Sequence, residues 1–296
     1  MSPSAKREKP TVAEMLGALS DSGYLFQNSV ALEFESAGYS VTPDYSFPDR
    51  DTGQQVEVDI SATKRRSICG DDREPRIYTK VLASCRENTN PLVFFTRDND
   101  NTLRPATTHL PINGVPFGWP FSVADPGRGI RTRSLRLLQE HDHRLTAPRV
   151  SSQFCAVFST SGSVELTAES EGLHQELLVP LIKAIRYKGD AALNPHSGEL
   201  DVELIYPLVI LSDEMYECDA GAESPDLARK KHVVVYRKYR SARIKGVFTI
   251  DVIARSFLGR YRKLIEAESE RVREFLKDNL EGIRECERHR RDWQKR

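Results

Sequence analysis

The chain holds 296 residues, 39% apolar and 29% charged, and its 43 lysines and arginines are matched by 43 aspartates and glutamates. That length accommodates one large domain or two modest ones. The neutral sum offers no global attraction for nucleic acid, and no apolar run reaches the ~20 residues of a membrane-spanning helix.

Residues 1–10 are basic without a following apolar core, so they read as a disordered tail rather than a secretory leader. Five cysteines, at 69, 85, 155, 218 and 286, show no Cys-x-x-Cys spacing. They suit reduced thiols in a cytoplasmic protein. His141 and His143 form the one close histidine pair. In a charged loop they read as solvated, and no zinc site is expected.

In chain order, Thr11 and Glu14 form a capping box that opens a short helix to about Leu19. Asp21-Ser22-Gly23 breaks it. A second helix runs from Tyr24 to Ala37, with Phe26, Val30, Ala31 and Phe34 on one stripe, and Gly38 stops it. Gln27 lies at the polar margin of that stripe. A first strand starts at Tyr39. Pro48 to Gly53 is a polar turn that closes a hairpin. The next strand, Gln55 to Ile60, alternates: Val56, Val58 and Ile60 face one side, Glu57 and Asp59 the other. Ala62 to Arg76 reads as a polar loop with five basic residues. Val81 to Arg86 and Pro91 to Thr96 are strands, the latter buried on both faces.

Asp98 to Gly129 is a long Pro- and Gly-rich connection anchored by Phe117, Trp119 and Phe121. A short helix is expected over Arg131 to His141, then strands at Gln153 to Phe158 and Val164 to Thr167. Leu173 to Tyr187 is an amphipathic helix with a kink at Pro180. Strands follow at Leu204 to Leu211, His232 to Tyr239 and Gly246 to Ile253. One long helix then runs from Ala254 to the end. Its charged tip offers a surface for a second subunit, so a homo-oligomer is expected through it.

The charge is unevenly spread. Asp190 to Asp226 holds ten acids and no base, while Arg229 to Lys263 holds twelve bases and one acid, Asp251. The basic block either attracts phosphates or pairs with the acidic block before it.

Gln27, the Glu57-x-Asp59 strand, Ser84-Cys85-Arg86 and the apolar strand after it resemble the core of the PD-(D/E)xK, restriction-endonuclease-like nuclease superfamily. The likeness covers residues 20 to 97. It implies an α/β fold with a mixed sheet flanked by helices, extended by a second α/β half and the C-terminal helix. The layout divides into a tail (1–10), a nuclease-like core (11–150), a second half continuous with the core or beside it (151–263), and a charged helix (264–296). The resemblance also implies a site at Gln27, Asp59, Ser84 and Arg86, with Mg2+ on Asp59 and Glu57. Ser84 and Arg86 stand where the family carries Glu and Lys. A hydroxyl is a weak ligand for a hard cation, and Arg does not act as a base. The reading is a nuclease-like protein that binds nucleic acid, DNA by preference, with cleavage weakened or lost and no membrane partner. Two alternatives stay open: an active Mg2+-dependent nuclease with a rearranged site, and a non-catalytic partner-binding α/β protein.

Overall fold

The computed structural model describes residues 9–70, 75–99, 120–125, 129–134, 142–159, 165–192, 201–213, 215–219, 221–285 and 288. Residues 1–8 of the expected tail, Phe117, Trp119 and the charged C-terminal tip beyond 288 lie outside the described residues. The first helix, α1 (Val12–Asp21), carries the capping box: Thr11 Oγ1 accepts the Glu14 N–H, and Glu14 Oε2 accepts the Thr11 N–H at 2.7 Å. Helix α2 (Tyr24–Ser36) ends before Gly38, whose φ of 81° is one that glycine adopts without strain.

Three strands then form an antiparallel meander: β1 (Ser40–Pro48), β2 (Gln55–Ser67) and β3 (Arg76–Arg86). The expected polar loop over Ala62 to Arg76 is therefore strand through Ser67, and Arg76 opens β3. Its bases can sit in a strand because the last helix supplies acids. Lys64 Nζ lies 3.0 Å from Glu266 Oε1, and Arg66 lies 3.1 Å from Glu270 Oε2.

The chain continues through β4 (Leu92–Asp98), a separate hairpin of β5 (Pro120–Asp125) and β6 (Gly129–Ser134), then β7 (Arg149–Ser159) and β8 (Leu166–Glu169). The helix expected at Arg131 to His141 is not there at its start. Residues 131–134 are strand, with β-branched Ile130 and Thr132 favouring the pleat, and 135–141 lie outside the described residues. Helices α3 (Leu173–Leu177) and α4 (Val179–Ala192) are one amphipathic segment broken at Leu178, two residues before Pro180. There follow β9 (Asp201–Leu211), β10 (Met215–Asp219), β11 (Leu227–Arg229), β12 (His232–Arg240), β13 (Lys245–Ala254), a 3-10 turn (Arg255–Phe257) and α5 (Leu258–Asp278). The expected single long helix is interrupted at Asn279, and the backbone is helical again over 280–285.

One large mixed sheet runs β1-β2-β3-β9-β13-β12-β7-β4-β10-β11, with β8 alongside β7. Strands from before and after residue 150 alternate within it. β9 lies parallel to β3 from Arg76↔Asp201 to Arg86↔Leu211, reached by the α4 crossover. The apolar strand beside β3 is thus β9. β4, expected to follow β3 in the core, pairs instead with β7 and β10. On one face α2 and α5 bury Phe34, Ile60, Val81, Leu208, Tyr261 and Leu276. On the other, α3 and α4 bury Leu181, Ile185, Leu82, Val209, Phe47 and Ile250.

The alternation read for β2 does not keep to one face. Ile60 and Ala62 enter the α2/α5 core, whereas Val56 and Val58 pack into the α4 core. β1 changes over at the same level: Tyr39 and Val41 are on the first side, Tyr45 and Phe47 on the second. The crossover coincides with Asp44, which has a φ of 46°, a left-handed conformation that aspartate tolerates better than most residues. Beyond that point the β1–β2 hairpin folds over α4. The β12–β13 hairpin arches over from the other side, since β13 pairs with β9 only from Asp251 onward. The two tips meet where Arg243 N–H donates to Asp51 Oδ1 at 2.8 Å, and Lys183 of α4 bonds Asp49 Oδ2 at 2.8 Å.

Phe34 is fully buried between α2 and the sheet, edge-on to Tyr39 at 5.3 Å. Phe34→Ala is expected to cost about 3–5 kcal/mol. Urea unfolding should show it as a lowered midpoint at unchanged slope.

Candidate functional site

The residues singled out by the resemblance fall partly together. The β2–β3 register pairs Ile60 with Ala83, so Asp59 and Ser84 occupy the next opposed positions. The Asp59 carboxylate accepts the Cys85 N–H at 2.5 Å. Gln27 of α2 reaches the same spot, donating to the Asp59 carbonyl at 2.8 Å and to Asp44 Oδ1 at 2.7 Å. Burial pushes the Asp59 pKa up. The Cys85 amide opposes this, while Asp44 and Glu57 add to it. Glu57 is exposed, and Ser84 is buried. Arg86 does not join them: its guanidinium lies 3.3 Å from Glu176 of α3. Lys64 and Lys80, the nearest lysines to that site in the sequence, serve Glu266 and Glu203.

A second, more deeply buried constellation lies at the opposite side of the sheet centre. Asp251, in the most apolar stretch of β13, is fully buried. Its Oδ1 contacts His232 Nε2 at 2.7 Å and His143 Nε2 at 3.0 Å. Its Oδ2 accepts the Tyr261 hydroxyl at 2.8 Å and lies 3.8 Å from Arg144 Nε. Glu268 of α5 accepts both the His143 Nδ1–H and the His143 backbone N–H at 2.8 Å. Arg144 is buried against Asp142 at 3.0 Å, over the ring of Tyr206. The expectation that the 141–143 stretch is a solvated loop is therefore overturned for Asp142 and His143. Three carboxylates draw their cationic neighbours into the interior, because a buried charge is tolerated only when paired.

These groups shift one another's proton affinities. Burial disfavours a charged His143, but Asp251 and Glu268 outweigh it and push its pKa up to about 10. Burial would raise Asp251, yet the two histidines hold it well below the usual carboxylate range. Desolvation, with Asp251 next to it, drives the Tyr261 pKa upward. The network opens on a cleft of about 420 Å3 lined by His143, His232, Arg149, Glu217, Lys230 and Leu264. Among the described residues, two ligand sets are close enough to hold one ion: His143, His232 and Asp251, and Asp142, His143 and Glu268. Neither includes Asp59.

No known relative is found. No family model matches the chain, and no curated protein or solved structure is similar to it.

Sequence reasoning passed over His232, Glu268, Arg144 and Tyr261. A signal existed for Asp251, the lone acid in a basic block and inside an apolar strand. A weaker one existed for Glu268, which interrupts the α5 stripe between Ile265 and Val272.

Tyr261→Phe removes a donor from a buried carboxylate and is expected to cost about 1.5–3 kcal/mol, read by urea unfolding. The His143 pKa, ordinarily near 6.5, is raised to about 10 in the fold. Its stabilisation is thus complete below pH ~6.5 and lost as pH rises through ~10. In chelator-treated protein, thermal unfolding across that window should fall more steeply for the native chain than for His143→Gln.

Proposed function

We propose that this chain is a restriction-endonuclease-like protein that binds nucleic acid, DNA by preference, with Mg2+-dependent phosphodiester cleavage weakened or lost through Ser84 and Arg86. The observation that carries this reading is that Gln27 ties the Asp59 backbone carbonyl to the Asp44 carboxylate, while the half-buried Asp59 carboxylate accepts the Cys85 N–H of β3. It lies on an antiparallel meander whose last strand, β3, pairs in parallel with β9. A hard cation needs several oxygen ligands. Asp59 offers one, Ser84 only a hydroxyl, and Arg86 is drawn off to Glu176. Such a site favours binding over hydrolysis.

Positive charge is available for phosphates. Part of the basic block does pair with the acidic one, as Lys230 with Glu217 at 2.6 Å. Lys238, Arg240, Arg243 and Lys245, however, are exposed around the tip of the β12–β13 hairpin. That tip touches the turn of the hairpin bearing Asp59. Asp44 favours the second reading, an active enzyme with a rearranged site, because it brings another carboxylate next to Asp59.

Both readings are separated by incubating the protein with duplex DNA, single-stranded DNA and RNA. Binding should weaken with salt, and replacing the four hairpin bases by Ala should flatten the log–log salt slope by about one per lost phosphate contact. Cleavage in Mg2+ or Mn2+ should be weak or absent, and should rise in a Ser84→Glu/Arg86→Lys variant. Strong cleavage by the native chain, lost in both Asp44→Ala and Asp59→Ala, selects the active enzyme. Cleavage that survives Asp59→Ala, or failure to bind any nucleic acid at low salt, removes this function.

A further inference from the structure

We propose that His143 Nε2, His232 Nε2 and Asp251 Oδ1 form a binding site for one divalent transition ion of the zinc type, open to the cleft between α5 and the 142–149 loop. The site is separate from the Asp59 carboxylate and does not depend on the nucleic-acid reading. The three donor atoms all lie within 4.8 Å of one another, and Asp251 Oδ1 is 2.7 and 3.0 Å from the two imidazole nitrogens. Ligands bonded at 2.0–2.1 Å in a tetrahedral site stand ~3.3 Å apart. The two carboxylate–imidazole separations therefore need to open by about 0.3 and about 0.6 Å.

The surroundings are arranged as metal ligands require. A ligating histidine donates its remote N–H to a carboxylate, which fixes the tautomer and aims the lone pair. His143 does so through Nδ1 to Glu268, which also holds its backbone N–H. The carboxylate ligand is divided in the same manner. Tyr261 and Arg144 both address Oδ2, leaving Oδ1 to the two histidines. The His232 ring is held flat against Phe257, at 5.7 Å and 21°.

The donor set chooses the class of ion. Two imidazoles and one carboxylate suit zinc and its neighbours, whereas Mg2+ and Ca2+ take oxygen ligands. Both histidines line the cleft, so solvent or an oxygen-bearing ligand can complete the coordination.

The test uses the full chain, stripped with a chelator and titrated with Zn2+ and with Co2+. One ion per chain is expected by calorimetry, and Co2+ should give the intense visible absorption of a four-coordinate site. His232 is near the surface of the cleft, so His232→Ala should fold and lose affinity by more than about 100-fold, beyond what loss of an outer carboxylate costs. Glu268→Gln should lose roughly 10–100-fold. His174→Ala, remote in the sequence and facing Phe154, should bind as the native chain does. Absence of stoichiometric Zn2+ and Co2+ uptake overturns the proposal. So does uptake that His232→Ala leaves unchanged, or an octahedral Co2+ spectrum that the native chain and His232→Ala share.

Discussion

A single carboxylate buried without access to water governs how the centre of this protein is put together. Asp251 sits in a strand between Ile250, Val252 and Ile253, which are packed into apolar cores, and a bare charge there would be prohibitive. The fold answers by bringing three elements to it: β12 with His232, the 142–144 loop with His143 and Arg144, and α5 with Tyr261, while Glu268 of α5 holds His143. The path of α5 across the sheet is thereby fixed at two points seven residues apart, two helical turns on one face. Hydrophobic packing alone would let that helix slide. The polar contacts set its register.

Asp59 presents the opposite case. It is half-buried with one amide donor, and its near neighbours Asp44 and Glu57 carry the same charge. A carboxylate kept short of partners in this way costs stability in the free protein and gains when a cation or a donor arrives. The left-handed backbone at Asp44 puts strain at the level of the sheet where β1 and β2 change faces. Strained and under-satisfied groups concentrate where a fold does its work.

Much of the scaffold was legible because its elements obey simple periodicities. The capping box at Thr11, the stripe of α2, the break near Pro180 and the apolar runs of β9, β12 and β13 all depend on near neighbours in the chain. What stayed hidden depended on distant ones. Residues 62 to 67 look like a loop until Glu266 and Glu270, some two hundred positions later, neutralise Lys64 and Arg66. The face on which Val58 lands follows from the kink at Asp44 across the hairpin, not from its own alternation. The site at His143 and Asp251 joins residues 108 apart, and His232 alone in a basic stretch announces nothing. Local pattern revealed Asp251 as an oddity but not which groups would come to it.

The pairing of β3 with β9 has a temporal side. Arg76 lies opposite Asp201, so the free edge of β3 is paired only once the chain has grown by a further 125 residues. At ~5–20 residues per second, a ribosome takes roughly 6–25 s to make them. For that interval the nascent meander carries an open ladder edge beside apolar side chains, the kind of surface that recruits other chains. Its safe passage depends on being sheltered until the later half of the polypeptide emerges to close it.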